Sequence, residues 1–213
     1  MKKLRLKRGV AWFVYGFVAF ALCLGIAQAE EEGAAAEPSE AKEAPALSVI
    51  GEALRGKLLK LTDPYAIEDG TLKKADERKL EPFVLSEGDE PAYYAIYFSA
   101  KWCPPCRRFT PELVKFYKAN REGRPNFEVV FVSSDRGPEA MADYMKSYDM
   151  PWPVLKFSEK NRTEAVTRYA GSGIPCLVVV DGKGKVISDS FVNGDYVGPY
   201  KVLEELDDLL EGE

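Results

Sequence analysis

The chain has 213 residues, with 29 Lys and Arg against 34 Asp and Glu, and a formal net charge of −5. It is 46% hydrophobic and 30% charged, an ordinary globular balance. It has no histidine, which excludes Ser–His, Cys–His and His-ligated metal chemistry. Residues 1–29 hold five basic residues (Lys2, Lys3, Arg5, Lys7, Arg8) and no acid, so residues 30–213 hold 24 basic and 34 acidic, a net of −10. Phosphate affinity needs clustered Lys and Arg, so no nucleic-acid partner is expected.

Residues 1–29 read as an export signal. The basic stretch ends at Arg8, Val10 to Ala27 is uncharged and mostly apolar, and Ala27-Gln28-Ala29 is a small-x-small cleavage site. The alternative is an uncleaved N-terminal membrane anchor, since the apolar run is long enough to span a bilayer. Both readings place the rest of the chain outside the cytoplasm, in a periplasm or secreted. Residues 30–46 (EEEGAAAEPSEAKEAPA) bury too little apolar surface to offset the entropy of ordering, and are expected to be a disordered Ala/Glu/Pro-rich spacer. Residues 47–213 suffice for one domain and are too few for two.

Within that domain, Lys57–Leu61 is a short strand candidate. Residues 62–81 are turn-rich and predict a loop or irregular hairpin. Tyr93–Phe98 reads as a buried central strand. Cys106, Phe109, Leu113, Phe116 and Tyr117 recur at three- and four-residue intervals and predict a helix. Pro104 and Pro105 sit at its first turn, and Pro111 is expected to kink it. Phe127–Ser133 is a second buried strand. Met141, Tyr144, Met145 and Tyr148 mark a second helix, Val154–Phe157 a short extended piece, and Ala165, Val166 and Tyr169 a third helix closed by Gly171 and Gly173. Cys176–Val180 and Lys185–Ser190 form a hairpin across Asp181–Gly184. Val202, Leu203, Leu206, Leu209 and Leu210 give a C-terminal amphipathic helix. This order predicts an α/β fold, a central mixed β-sheet with helices on both faces.

The chemistry concentrates in Trp102-Cys103-Pro104-Pro105-Cys106. Two cysteines three apart at a helix start fall within the Cα window of a disulfide. The unpaired N–H groups and macrodipole there favour a thiolate on the first sulfur. Cys103 is the expected nucleophile. Cys106, one turn further in and more shielded, is the expected resolving thiol. A structural disulfide is the competing reading, weakened because so small a ring removes little unfolded-chain entropy. A zinc site lacks ligands, so no metal is expected, and no cofactor is implied.

Tyr97–Tyr117 (YFSAKWCPPCRRFTPELVKFY) resembles the active-site segment of the tryparedoxin/nucleoredoxin-like branch of the thioredoxin superfamily. Phe127–Asp135, Met150-Pro151-Trp152 and Gly173-Ile174-Pro175 match that branch in kind and order. The resemblance implies a thioredoxin-like fold with a cis peptide at Ile174-Pro175 beside the cysteine pair. It also implies client contacts at Trp102, Pro104, Pro105, Ile174 and Pro175, although Trp102 also reads as packing. Where many thioredoxins bury an aspartate this chain has Tyr97, so no carboxylate is nominated to move protons. Cys176 follows the proline where the family usually shows threonine. It is either a possible third redox thiol or a small buried side chain. Ser133-Ser134-Asp135 ends a strand and has no base partner, and carries no assigned chemistry.

The implied activity is an exported thiol–disulfide oxidoreductase acting on client proteins with disulfides or thiols. Its expected electron donor or acceptor is a membrane-linked partner. The alternatives are a dedicated cytochrome-maturation thioredoxin and a non-catalytic binding module with a structural disulfide.

Overall fold

The computed structural model describes residues 47–68, 71–74, 77–85, 90–121 and 126–212, all within one compact unit, Lys42–Glu213. The expected signal (1–29) and spacer (30–46) lie outside the described residues. A short helix α1 (Val49–Leu54) opens the domain, followed by β1 (Leu58–Leu61), β2 (Tyr65–Glu68), β3 (Thr71–Lys74), β4 (Leu80–Phe83) and β5 (Tyr93–Ser99). Next come α2 (Pro104–Arg121), β6 (Phe127–Ser133), α3 (Pro138–Ser147), β7 (Val154–Leu155) and α4 (Glu164–Thr167). The chain finishes with β8 (Cys176–Asp181), β9 (Val186–Asp189), β10 (Phe191–Val192), β11 (Asp195–Tyr196) and α5 (Pro199–Glu211).

Seven strands form one mixed sheet in the order β4-β1-β7-β6-β5-β8-β9. β5 pairs parallel with β6 and antiparallel with β8. The three central strands are mostly apolar on both faces because both sheet faces are covered. Ala95, Tyr97, Val129, Phe131, Leu177 and Val179 face one core with α2, α3 and α5. Tyr94, Ile96, Phe98, Val130, Val132, Val178 and Val180 face the other, with α1 and α4. Trp152 is fully buried and meets Tyr97 edge-on, ring centroids 6.4 Å apart.

Of the loop or irregular hairpin expected over residues 62–81, the structure shows a hairpin, β2–β3, followed by the start of β4, an edge strand paired with β1. The sequence there is charged and turn-rich, and β2 and β3 are joined by backbone pairing. α1 was not anticipated, since six residues carry too short a period to detect. Its N-cap is Ser48, whose Oγ accepts from Gly51 N–H at 3.1 Å. Ser48 is in turn held by Glu90, whose Oε2 accepts Ser48 N–H at 2.8 Å and whose Oε1 accepts the Ser48 and Tyr94 hydroxyls. α2 is one continuous helix through Pro111.

The helix that carries the cysteine pair is anchored from within by four buried hydroxyls. Thr110 Oγ1 donates to Cys106 O at 2.9 Å and touches Tyr97 OH at 2.9 Å and Tyr144 OH at 2.5 Å. Tyr144 OH also meets Ser99 Oγ at 3.1 Å. One proton per hydroxyl fixes the directions. Thr110 spends its proton on the carbonyl, so both tyrosines donate to Thr110, and Ser99 donates to Tyr144. Burial pushes the pKa of both tyrosines upward, so the chain carries no charge.

Two predictions follow from these contacts. Thr110→Val orphans the Tyr97 hydroxyl in the core and should cost about 1–3 kcal/mol in urea unfolding, while Thr110→Ser retains most of it. Burial raises the Glu90 carboxyl, but the Ser48 and Tyr94 hydrogen bonds outweigh burial and hold it below the usual carboxylate range. A depressed folded pKa contributes stability that is complete at neutral pH and is lost as acid protonates the group. Glu90→Gln should therefore cost about 1 kcal/mol at pH 7 and progressively less as the pH falls through the acid range, measured by chemical denaturation at a series of pH values.

Candidate active site

Antiparallel pairing of β5 with β8 places Phe98 opposite Cys176. The end of β5 therefore lies beside the start of β8, and the loop entering α2 faces the loop entering β8. The first brings Trp102, Cys103, Pro104 and Pro105. The second brings Ile174 and Pro175, joined by a cis peptide bond. An open groove between them is lined by Trp102, Cys103, Pro104, Ser134, Gly173 and Ile174.

Cys103 and Cys106 are disulfide-bonded, with Cα atoms 5.2 Å apart. Cys106 is fully buried and Cys103 is 3% exposed, so exposure separates them only slightly. The difference lies in what each one faces. Cys103 lines the groove, and its Sγ lies 3.6 Å from the Ile174 carbonyl oxygen. Cys106 packs beneath it and directs its backbone N–H onto Cys103 Sγ at 3.3 Å. α2 begins at Pro104, so this N–H belongs to the first turn, where no carbonyl of the helix competes for it. An N–H aimed at sulfur favours the thiolate over the thiol.

The loop before Cys103 is held by Ser133-Ser134-Asp135. Asp135 Oδ1 accepts Lys101 N–H at 2.9 Å, its Oδ2 accepts Ser133 Oγ–H at 2.9 Å, and Ser133 Oγ accepts Asp135 N–H at 3.0 Å. Trp102 is 57% exposed and donates Nε1–H to Ser134 O at 3.2 Å, so its ring is tethered at one edge and free on its faces. Pro104 and Pro105 are exposed, Ile174 is half-buried and Pro175 is buried. The structure thus brings every site residue expected from sequence to one place.

Cys176 lies under this site, fully buried and unbonded. Burial pushes its thiol up to about 11, against a partial pull from the Gly171 backbone. A thiol so placed is almost wholly protonated at neutral pH, which favours the small buried side-chain reading.

Sequence reasoning missed Thr110, which reaches the Cys106 carbonyl, Tyr144 and Ser99, which stand behind Thr110, and Asp135, which ties down Lys101. A Ser-x-Asp pattern at a strand end is a local turn signal and points to Asp135. Nothing local marks the hydroxyl cluster, because its members come from three different elements.

Residues 91–186 match the thioredoxin-like family model. The nucleoredoxin of Xenopus laevis is 40% identical over 119 residues, covering 55% of this chain and 27% of that protein. The tryparedoxin of Trypanosoma brucei brucei is 39% identical over 87 residues, covering 40% of this chain and 58% of that protein. The solved structure of tryparedoxin II from C. fasciculata is 38% identical, covering 52% of this chain and 74% of that one, with a TM-score of 0.45. The chain spans about a quarter of the length of the nucleoredoxins it matches. It is the stretch from just before β5 to the first residue of β9 that forms a thioredoxin-like domain, with nucleoredoxins and tryparedoxins among its homologues.

Proposed function

We propose that this chain exchanges disulfides with client proteins through Cys103 and Cys106, and that it does so outside the cytoplasm. The observation that carries the exchange is a sulfur at the floor of a groove, next to a free backbone edge and facing a helix N–H. An extended client segment pairs with the Ile174 backbone and rests on Trp102, Pro104, Pro105 and Pro175. The Cys103 thiolate attacks one sulfur of the client disulfide. That bond breaks, and the departing client sulfur leaves with the electron pair and takes a proton. Cys106 then loses its proton and attacks Cys103 Sγ, expelling the second client thiolate and closing the Cys103–Cys106 bond. Two electrons have moved from the chain to the client. With an oxidised chain and a reduced client the same steps run in reverse. Export is supported by the basic, apolar and small-x-small order of residues 1–29. An extracytoplasmic location calls for a membrane-linked donor of electrons for reduction, or a membrane-linked acceptor for oxidation.

The test is insulin reduction with catalytic amounts of the chain and excess dithiol. Turnover is expected from wild type and none from Cys103→Ser; equal rates would overturn the exchange. Cys106→Ser should accumulate a client mixed disulfide through Cys103, read by mass spectrometry of the trapped adduct. Cys176→Thr should leave turnover within about twofold, and Cys176 should resist iodoacetamide at pH 8 in the native state while reduced Cys103 reacts. Cell fractionation with N-terminal sequencing checks the location. A mature chain recovered in the cytoplasm and beginning at residue 1 would remove the export proposal and leave the chemistry standing.

A further inference from the structure

The hairpin of β10 and β11 contributes no chemistry, yet two of its side chains reach back to the loop that faces the cysteines. Tyr196 OH donates to Pro175 O at 2.8 Å. The Phe191 ring lies 5.0 Å from the Tyr196 ring, centroid to centroid. It also occupies the space behind Gly171, where an added Cβ would fall 2.0 Å from a ring carbon. Gly171 lines the groove, so the aromatic pair supports the wall that the groove presents to a client.

The base of the hairpin is fixed to the sheet. Val197 N–H and Gly198 N–H both donate to Ser190 O, at 2.9 and 3.1 Å. Ser190 Oγ accepts Leu177 N–H and donates to Leu177 O, both at 2.9 Å. The tip, by contrast, is open. Asn193 and Gly194 take positive φ, and nothing lies within 4 Å of a Cβ built on Gly194. The loop that the hairpin supports begins after the last turn bond near α4, Ala170 N–H to Thr167 O at 3.1 Å, and ends at the first residue of β8. It holds two glycines, and Gly173 has open space around its Cα, so it has little rigidity of its own.

We propose that Tyr196 and Phe191 are positioning residues that hold the 171–175 loop against the cysteine pair, so that the Ile174 edge is aligned for protein clients and is dispensable for small disulfides. This rests on the exchange reading above. Tyr196 is half exposed, so Tyr196→Phe keeps the ring and the fold and removes only the bond to Pro175.

The experiment compares the full-length wild type with Tyr196→Phe on insulin and on the small disulfide 5,5′-dithiobis(2-nitrobenzoate), and measures the Cys103–Cys106 potential against glutathione. One lost hydrogen bond should raise KM for insulin about three- to tenfold. kcat, the rate on the small disulfide and the potential should stay as in wild type. Phe191→Leu should move insulin KM the same way. An unchanged insulin KM in Tyr196→Phe overturns the inference, as does an equal loss on both substrates or a shifted potential, because the residue would then act on the sulfurs rather than on the loop. A wild type inactive on insulin overturns the exchange reading itself. An active wild type with an indifferent Tyr196→Phe overturns this inference alone.

Discussion

The antiparallel pairing of Phe98 with Cys176 is the constraint on which the site depends. β5 runs into the loop before α2, and β8 starts where the loop containing Ile174-Pro175 ends. Had the two strands been parallel, the proline loop would lie at the opposite end of the sheet from the cysteines. Both strands are apolar on each face, so slipping this register by one residue would exchange every side chain between the two cores. The distance between a sulfur and a backbone edge is therefore set by core packing far from either of them.

Three sets of hydrogen bonds then refine what the register makes coarse. Asp135 and Ser134 hold the entrance of the Trp102–Cys103 loop, at Lys101 N–H and at the indole. Thr110 and its partners hold the Cys106 carbonyl one turn into α2. Tyr196 holds the Pro175 carbonyl from behind the loop that forms the groove wall. None of these groups touches the Cys103 sulfur. Each fixes a group on one of the two segments that meet at it, which is how a reacting group is preorganised without crowding it.

Much of this was legible in the sequence, for a physical reason. The central strands Tyr93–Ser99 and Phe127–Ser133 are covered on both faces and so read as nearly continuous apolar runs. α2 shows its buried face at helical spacing. The cysteine pair and Ile174-Pro175 stand out because chemistry and backbone geometry restrict the residue types there. What stayed hidden were the short elements. α1, β4, β10 and β11 have six residues or fewer, too short to show a period, and α1 is in addition held by a partner remote in sequence, Glu90 bonding Ser48 across 42 residues. The hydroxyl cluster was hidden for the same reason, since Tyr97 and Tyr144 each look like ordinary core aromatics until their oxygens are seen to converge on Thr110. Ser133-Ser134-Asp135 was visible as a pattern, but its role depends on a loop 34 residues away.

The uncharged character of the anchor beneath Cys106 has a further consequence. Ser99, Thr110, Tyr97 and Tyr144 hold the first turn of α2 with neutral dipoles alone, and a dipole network buried in the core is not screened by dissolved ions. The floor under the reactive pair thus keeps its shape across wide changes in ionic strength and acidity.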